Sequence, residues 1–205
     1  MKISDSVFLI DNTNANVYVI VNEGEVFQID SGLKSSFNAI RKFYSENSLR
    51  PNYVLITHAH VDHIGALAEV YRYYKPKIFA HGLDLKVIRG EEKMPSRSFL
   101  MRLFGVFIKA EPVREADEII NKNFKNIEVI ETPGHTPGSV SYLYNDGKER
   151  YLFVGDAAFE RKGKLFVNRT FSLDLKTAEE SLNKIIGLKP VTILPGHGNP
   201  VKLEQ

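Results

Sequence analysis

The stretch THAHVDH places His58, His60, Asp62 and His63 within six positions. The chain has six histidines, so half of them sit together, directly after the apolar run YVLI. Neutral imidazole is a strong donor to zinc or iron, and carboxylate adds charge and can bridge two ions. His58 and His60 are two apart, so in extended chain both side chains point the same way. Asp62 and His63 then fall near the start of the next helix. A bend in the loop brings four ligand-type side chains together.

Three further residues share one local grammar. His135 lies in IETPGHTPGS, His197 in ILPGHGNP and Asp156 in YLFVGDAAF. Each follows an apolar run and sits beside Gly or Pro, which set sharp turns. Alone, a histidine at a strand end is usually a surface residue, and a Gly-Asp turn is common. Together, four strand exits deliver five histidines and two aspartates, and sites gather on loops held by a rigid sheet. Two tripods are expected, one of His58, His60 and His135, the other of Asp62, His63 and His197, with Asp156 touching both. Two ions about 3.5–4 Å apart would hold a hydroxide between them. His81, in FAHGLDL, has no place in the set and is read as structural or exposed.

The elements that must position these residues are short. VFLI, NVYVIV and EVFQID read as strands, and SGLKSSFNAIRKFYSEN as an amphipathic helix through Leu33, Phe37 and Ile40. NYVLIT is a buried strand, DHIGALAEVYRYY one helix, KIFA a strand, and GLDLKVIRG a short helix or turn. In the second part NIEVIET, SVSYLYN and RYLFVG are strands, and KLFV is a further candidate. DLKTAEESLNKIIG is a helix, with Thr177 and Glu180 as a capping box and Gly187 as its stop. PVTIL is the last strand. Strands and helices in two similar halves predict an α+β fold, a four-layer αββα sandwich in which antiparallel meanders dominate. The segment around residues 91–113 reads as a helix, a lid or a packing segment.

Composition sets the bounds. At 205 residues with 43% hydrophobic and 25% charged side chains, the chain is expected to form one soluble domain over 1–205. A net charge of +2 decides little about an anionic partner, and without a long basic run a nucleic-acid partner is not expected. The absence of Cys excludes thiolate ligands and disulfides. No run of about 18 apolar residues predicts a membrane span, and the first residues do not read as a signal peptide, so a cytoplasmic location is expected.

The motif H-x-H-x-D-H at His58, His60, Asp62 and His63, with His135, Asp156 and His197, resembles the metallo-β-lactamase fold family. The opening NANVYVIV, the DSG turn at Asp30 and the closing SLNKIIGLKPVTILPGHG resemble the family's first strands and its closing helix and strand, and TPGHTPGSVSYLY is similar to its small glyoxalase II and lactonase branch. The likeness covers about residues 14–198. It implies that His58, His60, Asp62, His63, His135, Asp156 and His197 are metal ligands. It places Asp30 beneath them as a support. Thr57 reads either as a helper through its hydroxyl or as a plain strand residue. Only seven residues follow PGHG, so a typical glyoxalase II with its helical substrate domain is not expected.

The expected cofactor is two divalent ions, zinc first, with iron or manganese as alternatives. The expected activity is hydrolysis of an ester, thioester or lactone by a metal-bound hydroxide. Asp62 is then both ligand and catalytic residue, orienting the hydroxide and relaying its proton. The alternatives are a mononuclear iron oxygenase resembling persulfide dioxygenases, using His58, His135 and Asp156, and a metal-dependent phosphodiesterase. The partner is a small-molecule substrate, with a homodimer as an option. Tyr18, Arg97, Arg102, Lys109, Arg161 and Arg169 are candidate substrate groups, Arg169 favoured, with the Phe-rich 99–108 stretch as an apolar wall.

Overall fold

Strand β2 (Val17–Asn22) shows how the layers form. Val17 and Val19 pack into one core, while Tyr18 and Ile20 pack into another. Successive side chains leave a strand on opposite faces, so a run that is apolar at every position belongs between two apolar layers. The protein is described by a computed structural model that covers residues 1–93 and 110–204.

The first sheet runs β1-β2-β3-β4-β5-β6. With β2, it is built from β1 (Val7–Ile10), β3 (Glu25–Ile29), β4 (Tyr53–Leu55), β5 (Lys77–Ala80) and β6 (Ala116–Glu118). Strands β1 to β3 are antiparallel, but β3, β4, β5 and β6 pair in parallel. The expected dominance of antiparallel meanders therefore fails in this sheet. Parallel neighbours need a crossover, and helices supply it. Helix α1 (Phe37–Glu46) joins β3 to β4, and α2 (Val61–Ile64) with α3 (Leu67–Tyr74) joins β4 to β5. Helix α4 (Gly82–Ile88) follows β5. Their apolar faces, through Ile40, Tyr44, Leu67, Val70, Leu85 and Ile88, cover one side of the sheet.

The second sheet runs β13-β12-β9-β8-β7, with β7 (Ile127–Glu131), β8 (Val140–Asn145), β9 (Arg150–Gly155), β12 (Val191–Pro195) and β13 (Val201–Leu203). Strands β9 and β12 are parallel, and the other pairs antiparallel. Tyr151 and Phe153 face the first sheet, while Leu152 and Val154 face helix α5 (Leu175–Gly187) through Ile185. The order is helices, sheet, sheet, helix, which is the expected α+β sandwich. A hairpin of β10 (Phe159–Arg161) and β11 (Lys164–Phe166) stands apart from both sheets, so KLFV is a strand, as expected. Among the described residues no helix is long and apolar enough to cross a membrane.

Two helix boundaries differ from expectation, for tertiary reasons. The helix expected from Asp62 to Tyr74 is broken at Gly65 and Ala66. The carbonyl of His63 accepts from the backbone N–H of Ser31 at 2.7 Å and from its hydroxyl at 2.9 Å, and Ala66 N–H donates to Gly32. Those bonds replace part of the intrahelical ladder. At α5 the N-cap is Asp174, not Thr177. Its carboxylate accepts from the N–H and the hydroxyl of Thr177. The expectations for residues 94–109, including Arg97, Arg102, Lys109 and the apolar wall, lie outside the described residues.

Candidate metal centre

The ends of β3, β4, β7, β9 and β12 carry Asp30, the His58–His63 loop, His135, Asp156 and His197. The two sheets are tied at this edge. The Tyr142 hydroxyl donates to the Ile56 carbonyl at 2.7 Å, the Tyr18 hydroxyl to the Pro195 carbonyl at 2.8 Å, and the Val140 N–H to the Thr57 carbonyl at 2.9 Å. Gly155, at φ +50°, lets β9 pass against Thr57; a Cβ there would collide with the threonine hydroxyl. Tyr18 is thus a buried structural tie, not a substrate group.

All seven predicted residues converge. His58, His60, His135 and Asp156 form one group, and Asp62, His63 and His197 a second; within each, the donor atoms lie within 4.8 Å of one another. His135 Nε2 and His60 Nδ1 are 2.8 Å apart. Asp156 lies between the groups. Its Oδ2 is 3.3 Å from His135 Nε2 and 3.9 Å from His58 Nε2, and its Oδ1 is 3.3 Å from His63 Nε2 and 3.7 Å from His197 Nε2. Asp62 Oδ2 stands 3.1 Å from His197 Nε2.

Buried polar atoms are normally hydrogen-bonded. Here His58 Nε2, His63 Nε2 and Asp156 Oδ1 have no hydrogen-bond partner among the described residues. All three turn toward the shared centre. Five imidazoles and two carboxylates with bare inward atoms fit a cation pair by donor chemistry as well as by position.

The tautomers follow from the surroundings. Asp30 adopts φ +60°, a conformation uncommon for non-glycine residues, which turns its carboxylate under the site. Its Oδ2 accepts from the Thr57 hydroxyl at 2.7 Å and from His63 Nδ1 at 2.7 Å, and its Oδ1 accepts from the Thr57 N–H. With its one proton given to Asp30, Thr57 Oγ1 can only accept from His58 Nδ1, 3.1 Å away. In the neutral rings both Nε2 atoms are then inward lone pairs.

Burial, helped by His63 and His135, holds His58 well below the usual imidazole range. Burial also lowers His60, and takes His135 down to about 3. His63 moves the other way: burial opposes its charge, but Asp156 and Asp30 outweigh that and raise it well above the usual range. Burial pushes Asp62 up, yet the His197 hydrogen bond and the nearby imidazoles leave it below the ordinary carboxylate range. Without a cation, then, a proton on His63 neutralises part of the buried carboxylate charge.

Other expectations resolve differently. Arg169 is exposed and pairs with Glu179 at 3.1 Å, and Arg161 is exposed at the tip of the β10–β11 hairpin. His81 accepts from the Leu83 N–H and caps α4, a structural role as expected. Two residues were missed. Phe159 stacks on His197 at 5.6 Å with planes 2° apart and also meets the edge of His135. Asp84 is buried behind the histidine loops. The first is one apolar residue among many after a strand exit, and the second sits within a helix, so neither carries a local signal.

A family model for the metallo-beta-lactamase superfamily matches residues 10–197. The probable metallo-hydrolase YflN of Bacillus subtilis (strain 168) is 30% identical over 219 residues, covering 91% of this chain and 81% of YflN. The metallo-beta-lactamase fold-containing protein ST1585 of Sulfurisphaera tokodaii is 30% identical over 201 residues, covering 91% of this chain and 74% of its own. Among solved structures, the B3 metallo-beta-lactamase BLEG-1 is similar with a TM-score of 0.74 and 27% identity, over 96% of this chain and 94% of that one. TTHA1623 in a di-iron-bound form shares the fold at a TM-score of 0.75 and 24% identity, over 96% and 93%. The chain belongs to the metallo-beta-lactamase superfamily. By class it is an enzyme, a metal-dependent hydrolase.

Proposed function

We propose that His58, His60, His135 and Asp156 hold one divalent cation, that Asp62, His63, His197 and the same Asp156 hold a second, and that the chain hydrolyses a carbonyl ester, thioester or lactone. One observation carries this reading: the two oxygens of Asp156 face opposite groups of imidazoles. Zinc is the first choice for this nitrogen and oxygen donor set, with iron and manganese next. Bound there, the ions supply Lewis acidity toward a carbonyl oxygen and acidify a water toward a pKa of about 7.

The chain's own residues do the rest. Burial keeps His58, His60 and His135 neutral, so their lone pairs are available without losing a proton first. Asp62 is a third exposed, at 32%, so solvent reaches it. It orients the attacking water and takes its proton while the water oxygen bonds to the carbonyl carbon. The proton then passes to the leaving oxygen or sulfur as that bond breaks. Phe159 against His197, with Phe166 packed 5.9 Å beyond it, offers an apolar wall suited to an acyl or aryl group. A small-molecule substrate, a cytoplasmic location and a homodimer belong to the same reading.

The test is metal analysis of the isolated protein with a panel of an ester, an acyl thioester, a lactone and a phosphodiester. Two ions per chain, with carbonyl hydrolysis lost to a chelator and restored by a divalent salt, is the expected result. One iron per chain with oxygen uptake, or cleavage of the phosphodiester alone, overturns it.

A further inference from the structure

Asp84 is 4% exposed, and among the described residues no Lys or Arg pairs with it. A buried carboxylate without a cation is costly unless hydrogen bonds replace its hydration. Here three do. Oδ2 accepts from the Ala59 N–H at 2.7 Å and the Thr136 hydroxyl at 3.0 Å, and Oδ1 accepts from the Gly138 N–H at 3.1 Å. Burial raises Asp84 above the usual carboxylate range against those bonds.

The origin of the donors is the informative part. Ala59 lies between His58 and His60, and Thr136 and Gly138 follow His135. A single carboxylate on α4 is therefore bonded to both loops that carry the three-histidine group. Those loops also meet at His60 Nδ1 and His135 Nε2, 2.8 Å apart, a hydrogen bond between neutral rings that is given up when both nitrogens turn their lone pairs to a cation, so the loops need a tie that does not depend on it. Bonds to an ionised acceptor are roughly twice as strong as neutral ones, which suits a clamp. Its neighbours are shaped to it. A Cβ on Gly138 would collide with Asp84 Oδ1. His81, the one histidine outside the centre, caps the helix on which Asp84 stands, and Leu85 and Ile88 anchor that helix in the core.

We infer that Asp84 is a positioning residue for the three-histidine half of the centre, holding the His58–His60 loop against the His135 loop before a cation arrives. Asp30 supports His63 directly, and His58 through Thr57. Asp84 is the counterpart that spans the two loops. The inference rests on the metal reading above.

Metal-free wild type and Asp84→Asn are compared in two ways. Amide hydrogen exchange reads the clamp without any metal. Zinc titration against a competing chelator reads the sites, repeated in a His197→Ala background where the three-histidine site is read by itself. In Asp84→Asn the amides of Ala59 and Gly138 should exchange at least about tenfold faster. Affinity at the three-histidine site should fall about 10- to 100-fold, as for other supports behind metal ligands, and the second site by less than about threefold. Should Asp84→Asn not fold, Thr136→Val removes one donor only and should weaken the same site by about three- to tenfold. Folded Asp84→Asn with unchanged affinity overturns the inference. So do equal losses at both sites in step with a lower Tm, which mark a general stability role. Wild-type protein that takes up no cation overturns the metal reading itself and is seen before any variant is made.

Discussion

Asp30 Oδ2 lies 2.7 Å from His63 Nδ1, on the side of the imidazole away from the centre. The contact fixes Nδ1 as the donor to Asp30 and leaves Nε2, which faces Asp156 Oδ1 at 3.3 Å, as the nitrogen that can give up its proton to a cation. Supports of this kind typically change metal affinity by about 10- to 100-fold when lost. Asp30→Asn should therefore weaken the second site by that factor while the protein stays folded. Isothermal titration with zinc reads it. Undiminished affinity in that variant would remove Asp30 from the account.

Asp156 is the only described carboxylate shared by both groups. Asp156→Asn keeps the shape but replaces one carboxylate oxygen with an amide nitrogen that does not bind a cation. Metal content should drop from two ions to at most one, with hydrolysis reduced by at least about 100-fold. Inductively coupled plasma analysis beside an ester assay checks this. Retention of two tightly held ions would contradict a bridging role.

Asp62 is assigned both a ligand position and the proton transfer. General base work is worth about 100- to 10,000-fold, so Asp62→Ala should lower kcat by that order with a smaller change in KM. Steady-state kinetics at saturating zinc separates a lost ligand from a lost base. A loss of only a few fold there would sink the catalytic assignment.

The metal-free protein should show a stability maximum near the unfolded histidine pKa of about 6.5. His58, His60 and His135 have lowered folded values. The unfolded chain therefore gains protons below that pH that the folded chain does not, and stability falls on acidification. For His135 the loss continues until about 3. His63 has a raised folded value. Its contribution is fully present below the unfolded pKa and is lost as pH rises through the folded one. A cation takes the place of the His63 proton, so metal should flatten the alkaline side. Thermal melts across pH, with and without zinc, give the curves. A metal-free Tm that climbs steadily through alkaline pH would contradict the His63 assignment.

Phe166 is 39% exposed and extends the apolar face begun by Phe159. Burying part of a phenyl ring against substrate is worth about 1.5 kcal/mol, or about tenfold. Phe166→Ala should lower kcat/KM by that factor for a long acyl or aryl ester and leave an acetyl ester unchanged. Equal effects on both substrates would show that the hairpin does not form a substrate wall.

Much of this was legible along the chain because the signals are short-ranged. The apolar run of NYVLIT announces a buried strand, and the H-x-H-x-D-H spacing announces a ligand loop. The helix cap at Asp174 was not legible. Asp174 and Thr177 are both good capping residues, and the choice falls to Asp174 because Leu173 N–H donates to the His135 carbonyl and Asp174 N–H to the Gly134 carbonyl. That contact directs the chain into the helix three residues early. The break between α2 and α3 has the same origin, since Ser31 takes the His63 carbonyl from outside the helix.

The sequence by itself determined the donor chemistry, nitrogen and oxygen without sulfur, and the short apolar runs that become the strands. Residue type and two- or three-residue spacing are local properties, so they survive in a linear chain. Only the tertiary structure decided which atoms meet. His60 and His135 are 75 residues apart, and Asp62 and His197 are 135 apart. The split of Asp156 between two groups, the bonds of Asp84 across two loops and the stacking of Phe159 on His197 likewise depend on where strand ends are carried by sheet pairing. Contacts between distant segments are set by packing of whole layers, and no local pattern encodes them.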